Sequence, residues 1–271
     1  MILSRRVALD GAQLDEIDSR VVIQSVKTGA GKNTITAVSL YGRDGQRVTG
    51  AQRDTIDVEV EFGLLIRKEE MVARAELLET VNAWAAAADI GRGGAWLTLG
   101  HKENRRMRVV LAEPADEGDL REWNRNFRIT FRAYGVPYWQ ETEPTARISG
   151  ETAMAWSGQM TVGGNVRTAA DVSLTNGSGA LLNTAAITVG SNIMRFEELG
   201  LAANETLVID HDETGTIRIR IRSVNGNWRS ALGKRTGASA DDFRIMPGSV
   251  PISYNTQRAC SLTASAPGRF L

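Results

Sequence analysis

The chain has 271 residues, 42% of them hydrophobic and 24% charged, with 32 basic residues against 32 acidic ones. Split at residue 150, the first part carries 21 basic and 22 acidic residues and the rest 11 and 10. Neither half has the net positive charge of a dedicated nucleic-acid binder, and the single cysteine, Cys260, excludes an intrachain disulfide and a cysteine zinc cage.

In chain order, the start from Met1 to Gln13 has no apolar run long enough for a signal peptide. No stretch approaches a membrane span either, so folding in a cytoplasm without membrane insertion is expected. Short strands are predicted over Arg20 to Val26 and Thr34 to Leu40, with turns at Gly29-Ala30-Gly31 and Asp44-Gly45 that can take positive φ. From Ile56 the apolar residues Ile56, Val58, Val60, Phe62 and Leu64 alternate with Asp57, Glu59 and Glu61, which is a strand with one buried and one wet face.

Between Glu69 and Ala88 the period changes. Met71, Ala75, Leu78, Val81, Ala85 and Ala88 recur at three or four residues and predict one apolar helix face. Glu69 and Glu70 lie at its positive end, and Gly91 is available as a stop. Strands follow over Ala95 to Leu99, after a Gly93-Gly94 turn, and Met107 to Ala112. Leu120 to Tyr134 repeats the alternating pattern. Trp123, Phe127, Ile129, Phe131 and Ala133 lie on one side, with Asn126, Arg128, Thr130 and Arg132 on the other. Residues 1–140 therefore read as a mostly antiparallel sheet packed against a single helix.

Gly135-Val136-Pro137-Tyr138-Trp139 ends that strand, and residues 141–150 are polar with Pro144 inside, which reads as a linker. Over 151–271 the helix signal disappears. Asp171 to Thr175, Ala186 to Val189, Thr206 to Ile209, Thr216 to Arg222, Asp241 to Met246 and Val250 to Tyr254 read as short strands spaced by Gly, Asn and Asp. That spacing is expected of a β-sandwich.

Motifs for chemistry are scarce, and no catalytic, cofactor-binding or metal-binding residue is assigned. Gly29-Ala30-Gly31-Lys32-Asn33 fails as a phosphate loop, because Val26 stands where its first glycine belongs and Asn33 replaces the Ser or Thr. Asp210-His211-Asp212-Glu213-Thr214-Gly215 starts like a calcium loop, yet Ile221 occupies the position of the bidentate Glu; a polar hairpin turn with an exposed His211 is expected. No Gly-x-Ser-x-Gly elbow or His-Glu-x-x-His helix is present, so the chain is not expected to be an enzyme.

The most distinctive charge pattern is Arg218, Arg220 and Arg222 alternating with Ile217, Ile219 and Ile221. Period two puts the three guanidinium groups on one face, about 7 Å apart. Such a face can hold an acidic glycan, a phosphate-rich polymer or a partner's carboxylates, or it can be the wet side of a half-buried strand, protective if that strand lies at an edge. Trp156 and Trp228 can be sugar platforms or core anchors, with the core as the default.

Together these segments resemble the distal tail proteins of long-tailed, non-contractile phages and prophages. The resemblance runs through Arg5-Arg6-Val7, Arg53 to Val58, the helix ending near Trp84 and Arg105-Arg106-Met107-Arg108-Val109. It is most specific from Phe127 to Trp139. Val172 to Gly177, the hairpin at Asp210 and Phe243 to Ser249 resemble the family's second domain. That domain's usual Phe-Pro start and Pro-Gly-x-Asn turn are only partly present here, with Arg244 and Val250 in the expected places.

The resemblance implies a mainly β chain, with a tail-tube-like β-barrel or sandwich domain carrying one packed helix and then a galectin-like β-sandwich. It implies no cofactor. It further implies a structural virion protein at the distal end of the tail, synthesised in the bacterial host cytoplasm. There it would form a homohexameric ring around a channel through which DNA passes without specific binding. The implied partners are the tail tube protein, the tape-measure protein, the tail-associated lysin or tail-tip hub, and receptor-binding proteins. The alternative is a carbohydrate-binding, lectin-like module for host attachment.

Overall fold

The alternation that starts at Ile56 builds the spine of the first half of the molecule. The structure, a computed structural model, describes residues 6–39, 41, 46–67, 70–102, 104–116, 126–212 and 214–271. The chain is mainly β and divides into two units, Met1–Tyr138 and Trp139–Leu271.

The first unit contains β1 (Val7–Leu9), β2 (Ala12–Gln13), the one-turn α1 (Leu14–Ile17), β3 (Val21–Thr28), β4 (Asn33–Ser39), β5 (Gln46–Arg53), β6 (Ile56–Leu64), α2 (Met71–Ala85), β7 (Ala95–Leu99), β8 (Arg105–Glu113) and β9 (Asn126–Ala133). An antiparallel sheet runs in the order β2-β1-β7-β8-β9-β6-β3, and β4 and β5 form a separate two-stranded hairpin. In the central ladder, Val58, Val60 and Phe62 of β6 oppose Phe131, Ile129 and Phe127 of β9, all six buried. Phe62 and Phe127 stack with ring centres 5.6 Å apart. On the other face Asp57, Glu59 and Glu61 oppose Arg132, Thr130 and Arg128. A slip of one residue would exchange the two faces, so the alternation fixes the register.

The helix lies within the expected span, with a different face. Met71 and Ala75 are exposed, whereas Arg74, Leu77, Leu78, Val81, Trp84 and Ala85 are buried. The face is centred on Leu77, Val81 and Trp84, which brings Arg74 rather than Ala75 onto it. Trp84 meets Phe131 edge to face at 5.9 Å and donates its indole N–H to the Ala12 carbonyl at 2.9 Å. Asn82 exchanges two hydrogen bonds with the Ala115 backbone, at 3.1 and 3.0 Å. A 3-10 turn, Ala86–Ala88, extends α2, and a second, Ile90–Arg92, ends at Gly93 with φ +84. Gly93, not Gly91, is therefore the left-handed stop.

Several first-unit expectations shift or fall outside the described residues. Gly29 and Gly31 hold no positive φ. Asp44-Gly45, Glu69, Arg5 and the Leu120 to Arg125 part of the last strand, Trp123 included, lie outside the described residues.

The second unit contains β10 (Trp139–Glu141), β11 (Ala146–Ser149), β12 (Ala153–Val162), β13 (Thr168–Ala169), β14 (Asp171–Asn176), β15 (Ala185–Val189), β16 (Asn192–Phe196), β17 (Thr206–His211), β18 (Ile217–Arg222), β19 (Trp228–Ser230), β20 (Arg244–Ile245), β21 (Gly248–Ala266) and β22 (Arg269–Phe270). Its main path is β16-β15-β21-β14-β17-β18-β19, with β11 and β12 also paired to β21. The 19-residue β21 organises both parts of the sandwich. Its Ile252 to Thr256 stretch pairs with β15, and its Cys260 to Ser265 stretch with β14. Val172, Leu174, Ile187, Leu207, Ile209, Ile219, Ile221, Ile252 and Leu262 fill the core between them.

Residues 141–150 contain β11, whose Ala146 to Ser149 pair with Ala266 to Thr263. The strand expected over Asp241 to Met246 shortens to the two residues of β20. Asp242 is instead engaged in side-chain bonding, and Pro247 has no N–H to extend the ladder. The strand expected over Val250 to Tyr254 continues to Ala266, because Thr256 satisfies the polar interruption by donating to backbone carbonyl oxygen.

Candidate functional site

The alternating sequence of β18 sends its isoleucines inward and its arginines outward. Ile219 and Ile221 are buried, and Arg218, Arg220 and Arg222 share the opposite face. Asp210, across the β17–β18 ladder, binds two of them. Arg218 approaches it through Nε and Nη2 at 3.1 and 3.2 Å, and Arg220 through Nη2 at 2.6 Å. The arginine strand is not at the edge: β19 pairs with β18 and carries Trp228 opposite Arg222.

Trp228 is not a core anchor; it is 48% exposed. The guanidinium carbon of Arg220 stands 4.3 Å from its ring centre and that of Arg222 6.0 Å. These are cation–π distances, and they fix the half-exposed ring beside the two guanidinium groups. Arg229, next in sequence, projects to the other side of β19. It grips both carboxylate oxygens of Glu205 at 2.6 Å and donates to the Gly200 carbonyl at 2.8 Å. The hydrogen bonds from Arg229 hold the Glu205 carboxyl below its ordinary pKa. Of the two alternatives for Trp228, the core default does not hold, because the three residues of β19 are too few to show which face the ring takes. Trp156 follows the default, stacking on Tyr254 at 6.3 Å.

His211 departs from expectation. Its side chain is only 6% exposed and lies between two carboxylates, with Nδ1 3.0 Å from Asp171 and Nε2 2.6 Å from Asp242. Burial pulls its pKa down, but hydrogen bonding to Asp171 and Asp242 outweighs that, and the net position is above the ordinary value. The neighbouring Asp212 closes a hairpin turn by accepting from the Thr214 and Thr216 backbone N–H groups at 2.9 and 3.0 Å. Glu213 of the calcium-like sequence lies outside the described residues. Among the described residues no group of His, Cys, Asp and Glu side chains is arranged to hold a metal ion. The Gly29 to Lys32 loop leads into β4, a strand, where a phosphate loop needs a helix.

A second arginine–tryptophan assembly occupies the first unit. Trp96 of β7 opposes Arg108 of β8, and the guanidinium carbons of Arg106 and Arg108 lie 4.1 and 5.5 Å from its ring centre. Among the described residues no helix is long and apolar enough to cross a membrane.

No protein-family model matches the sequence, and no curated protein does. Solved structures do. The SPP1 Dit protein, described as a paradigm of the hub adsorption apparatus in phages infecting Gram-positive bacteria, matches at a TM-score of 0.66 and 13% identity. That match covers 98% of this chain and 99% of the other. A chain of the phage p2 baseplate, in its activated conformation with Sr, matches at a TM-score of 0.52 and 8% identity over 97% of each chain. At such identities the likeness is one of fold, and over nearly its full length this chain has the fold of a siphophage distal tail protein of the Dit type.

Proposed function

We propose that the chain is a structural protein of a phage tail tip. In this reading it forms a hexameric ring at the distal end of the virion tail. The ring joins the tail tube protein to the tail-tip hub or tail-associated lysin, and receptor-binding proteins attach outside it. DNA and the tape-measure protein pass through the central channel, and DNA does so without specific binding. The observation that carries the reading is the near-complete coverage of the SPP1 Dit fold, which leaves no large segment of this chain for another task.

Two features of the first unit support self-association. Among the described residues, the main sheet ends in unpaired edges at β2 and β3. An open edge is an aggregation liability unless a neighbour covers it, and a closed ring covers every edge it uses. The β4–β5 hairpin is the second feature. Ile35 and Val48 are 61% and 60% exposed, and Ala37, on the same face as Ile35, pairs directly with Val48. A lone two-stranded hairpin is at best marginal in water, so an apolar face of this kind gains stability when packed.

Negative-stain electron microscopy with light scattering on the purified chain tests the reading. Six-fold rings with a central hole, formed alone or on addition of tail-tube and hub proteins, are expected. A chain that stays monomeric with both partners present overturns it.

A further inference from the structure

The polar face of the second unit's sheet ends in a stripe that carries more positive charge than it neutralises. Ladder registers align Ser261, Thr175, Thr206 and Arg222 in one row across β21, β14, β17 and β18. Thr263, Ser173, Val208 and Arg220 form the next row. Beyond them β19 adds Trp228 opposite Arg222 and Ser230 opposite Arg220. Asp210 balances one of the three guanidinium charges. Arg222 makes no hydrogen bond or ion pair with any described residue, and the Nε of Arg220 is buried without an acceptor.

We propose that this stripe is a binding site for acidic glycans. A saccharide ring packs on the exposed indole of Trp228, and a carboxylate or phosphodiester group on the same chain is held by Arg222 and Arg220. Guanidinium groups match the geometry of both anions, and an indole fixed by cation–π contacts meets the ligand with little further ordering. The surroundings favour a glycan over a protein. A protein interface places an apolar core around its tryptophan, whereas the rows beside Trp228 are hydroxyl side chains with Val208 as their single apolar member. The site does not depend on the tail-tip reading, because it is complete within one copy of the second unit.

Calorimetric titration of the full chain tests it with three probes of equal length. These are an oligogalacturonate, a glycerol-phosphate oligomer and a neutral dextran oligomer. At least one anionic oligomer is expected to bind about tenfold or more tightly than dextran, since a charge-assisted hydrogen bond contributes on that scale. Which one binds separates the carboxylate source from the phosphodiester source. Trp228→Ala and Arg222→Ala are each expected to weaken binding by about tenfold. Arg222 holds no ion pair among the described residues, so its removal leaves the fold intact. Arg258→Ala, at an exposed position elsewhere on the unit, is the control and leaves affinity unchanged. The proposal fails if neither anionic oligomer binds, if dextran binds equally, if both site variants bind normally, or if the control loses affinity as the site variants do.

Discussion

Nε2 of His211 lies 2.6 Å from a carboxylate oxygen of Asp242, and the other oxygen of that carboxylate takes the guanidinium of Arg244 at 2.8 Å. With Asp171 on Nδ1, the imidazole is bonded at both nitrogens to acceptors. That arrangement suits the imidazolium, which donates from both. Burial raises the Asp242 carboxyl, but its bonds to His211 and Arg244 carry it below the ordinary value.

The first prediction concerns pH. His211 titrates above its unfolded value of about 6.5, so the folded chain keeps a proton that the unfolded chain has released. The stability this contributes is fully present below about pH 6.5 and is lost as pH rises through the folded pKa. Asp242 acts in the opposite direction, contributing stability above about pH 3.9 that is lost as acid titrates the folded carboxyl. The thermal midpoint of the second unit is expected to fall as pH rises above about 6.5, and His211→Gln is expected to remove most of that slope. A wild-type slope unchanged in the variant would place the titrating group elsewhere.

Phe131 is fully buried, opposes Val58 and meets the edge of Trp84. Phe131→Ala is expected to cost about 3–5 kcal/mol in denaturant unfolding of the first unit, the usual loss for an aromatic core side chain. A surface-like cost would contradict the β6–β9 register.

Gly93 and Gly94 separate a conformational requirement from a steric one. Both hold positive φ, +84 and +82. A Cβ at Gly93 would meet nothing nearer than the Arg108 guanidinium at 3.6 Å, but one at Gly94 would lie 2.4 Å from the Val109 carbonyl oxygen. Gly93→Ala is expected to cost about 1–2 kcal/mol, the left-handed penalty alone. Gly94→Ala is expected to cost about 2–4 kcal/mol, because backbone must move as well. Equal losses in paired melting curves would contradict the close approach of β7 and β8.

Legibility in the sequence followed how much each element depends on its own pattern. Ile56 to Leu64 and Phe127 to Ala133 alternate, and every apolar residue expected on their inner faces is buried, while Thr130 on the other face is buried as well. The Ala153–Val162 strand carries no local signal, since Trp156, Gly158 and Gln159 break its alternation and β21 supplies the pairing from about a hundred residues away. The polar neighbours of His211 predict an exposed turn. Its burial depends on Asp171 and Asp242, and no local period reports such distant partners. Of the proposed binding stripe, the three arginines were visible from period two. Asp210 and Trp228 became part of it only through the strand register.

Arg229 anchors the strand that presents Trp228. Its two bonds to Glu205 join β19 to the loop before β17, and Glu205 is itself buried and accepts from the Ala202 N–H at 2.9 Å. Arg229 is well exposed, so screening reduces the Coulombic share of the pair. Arg229→Ala is expected to cost about 1–3 kcal/mol, chiefly from leaving a buried carboxylate without its donors. Faster amide hydrogen exchange confined to β18 and β19 would report the loosened edge, and unchanged exchange there would show that the edge holds without this pair.

The hairpin substitutions Ile35→Asp and Val48→Asp distinguish folding from assembly. Both side chains are exposed in the single chain, so charging them should alter its stability by no more than about 0.5 kcal/mol. In a ring that buries this face, each carboxylate would lose water without gaining a partner, at a cost repeated in every subunit. The expected outcome is an unchanged melting curve for the dissociated chain, with loss of the high-mass species in light scattering. Rings that persist in the double variant would move the subunit interface away from the hairpin and onto the open edges at β2 and β3.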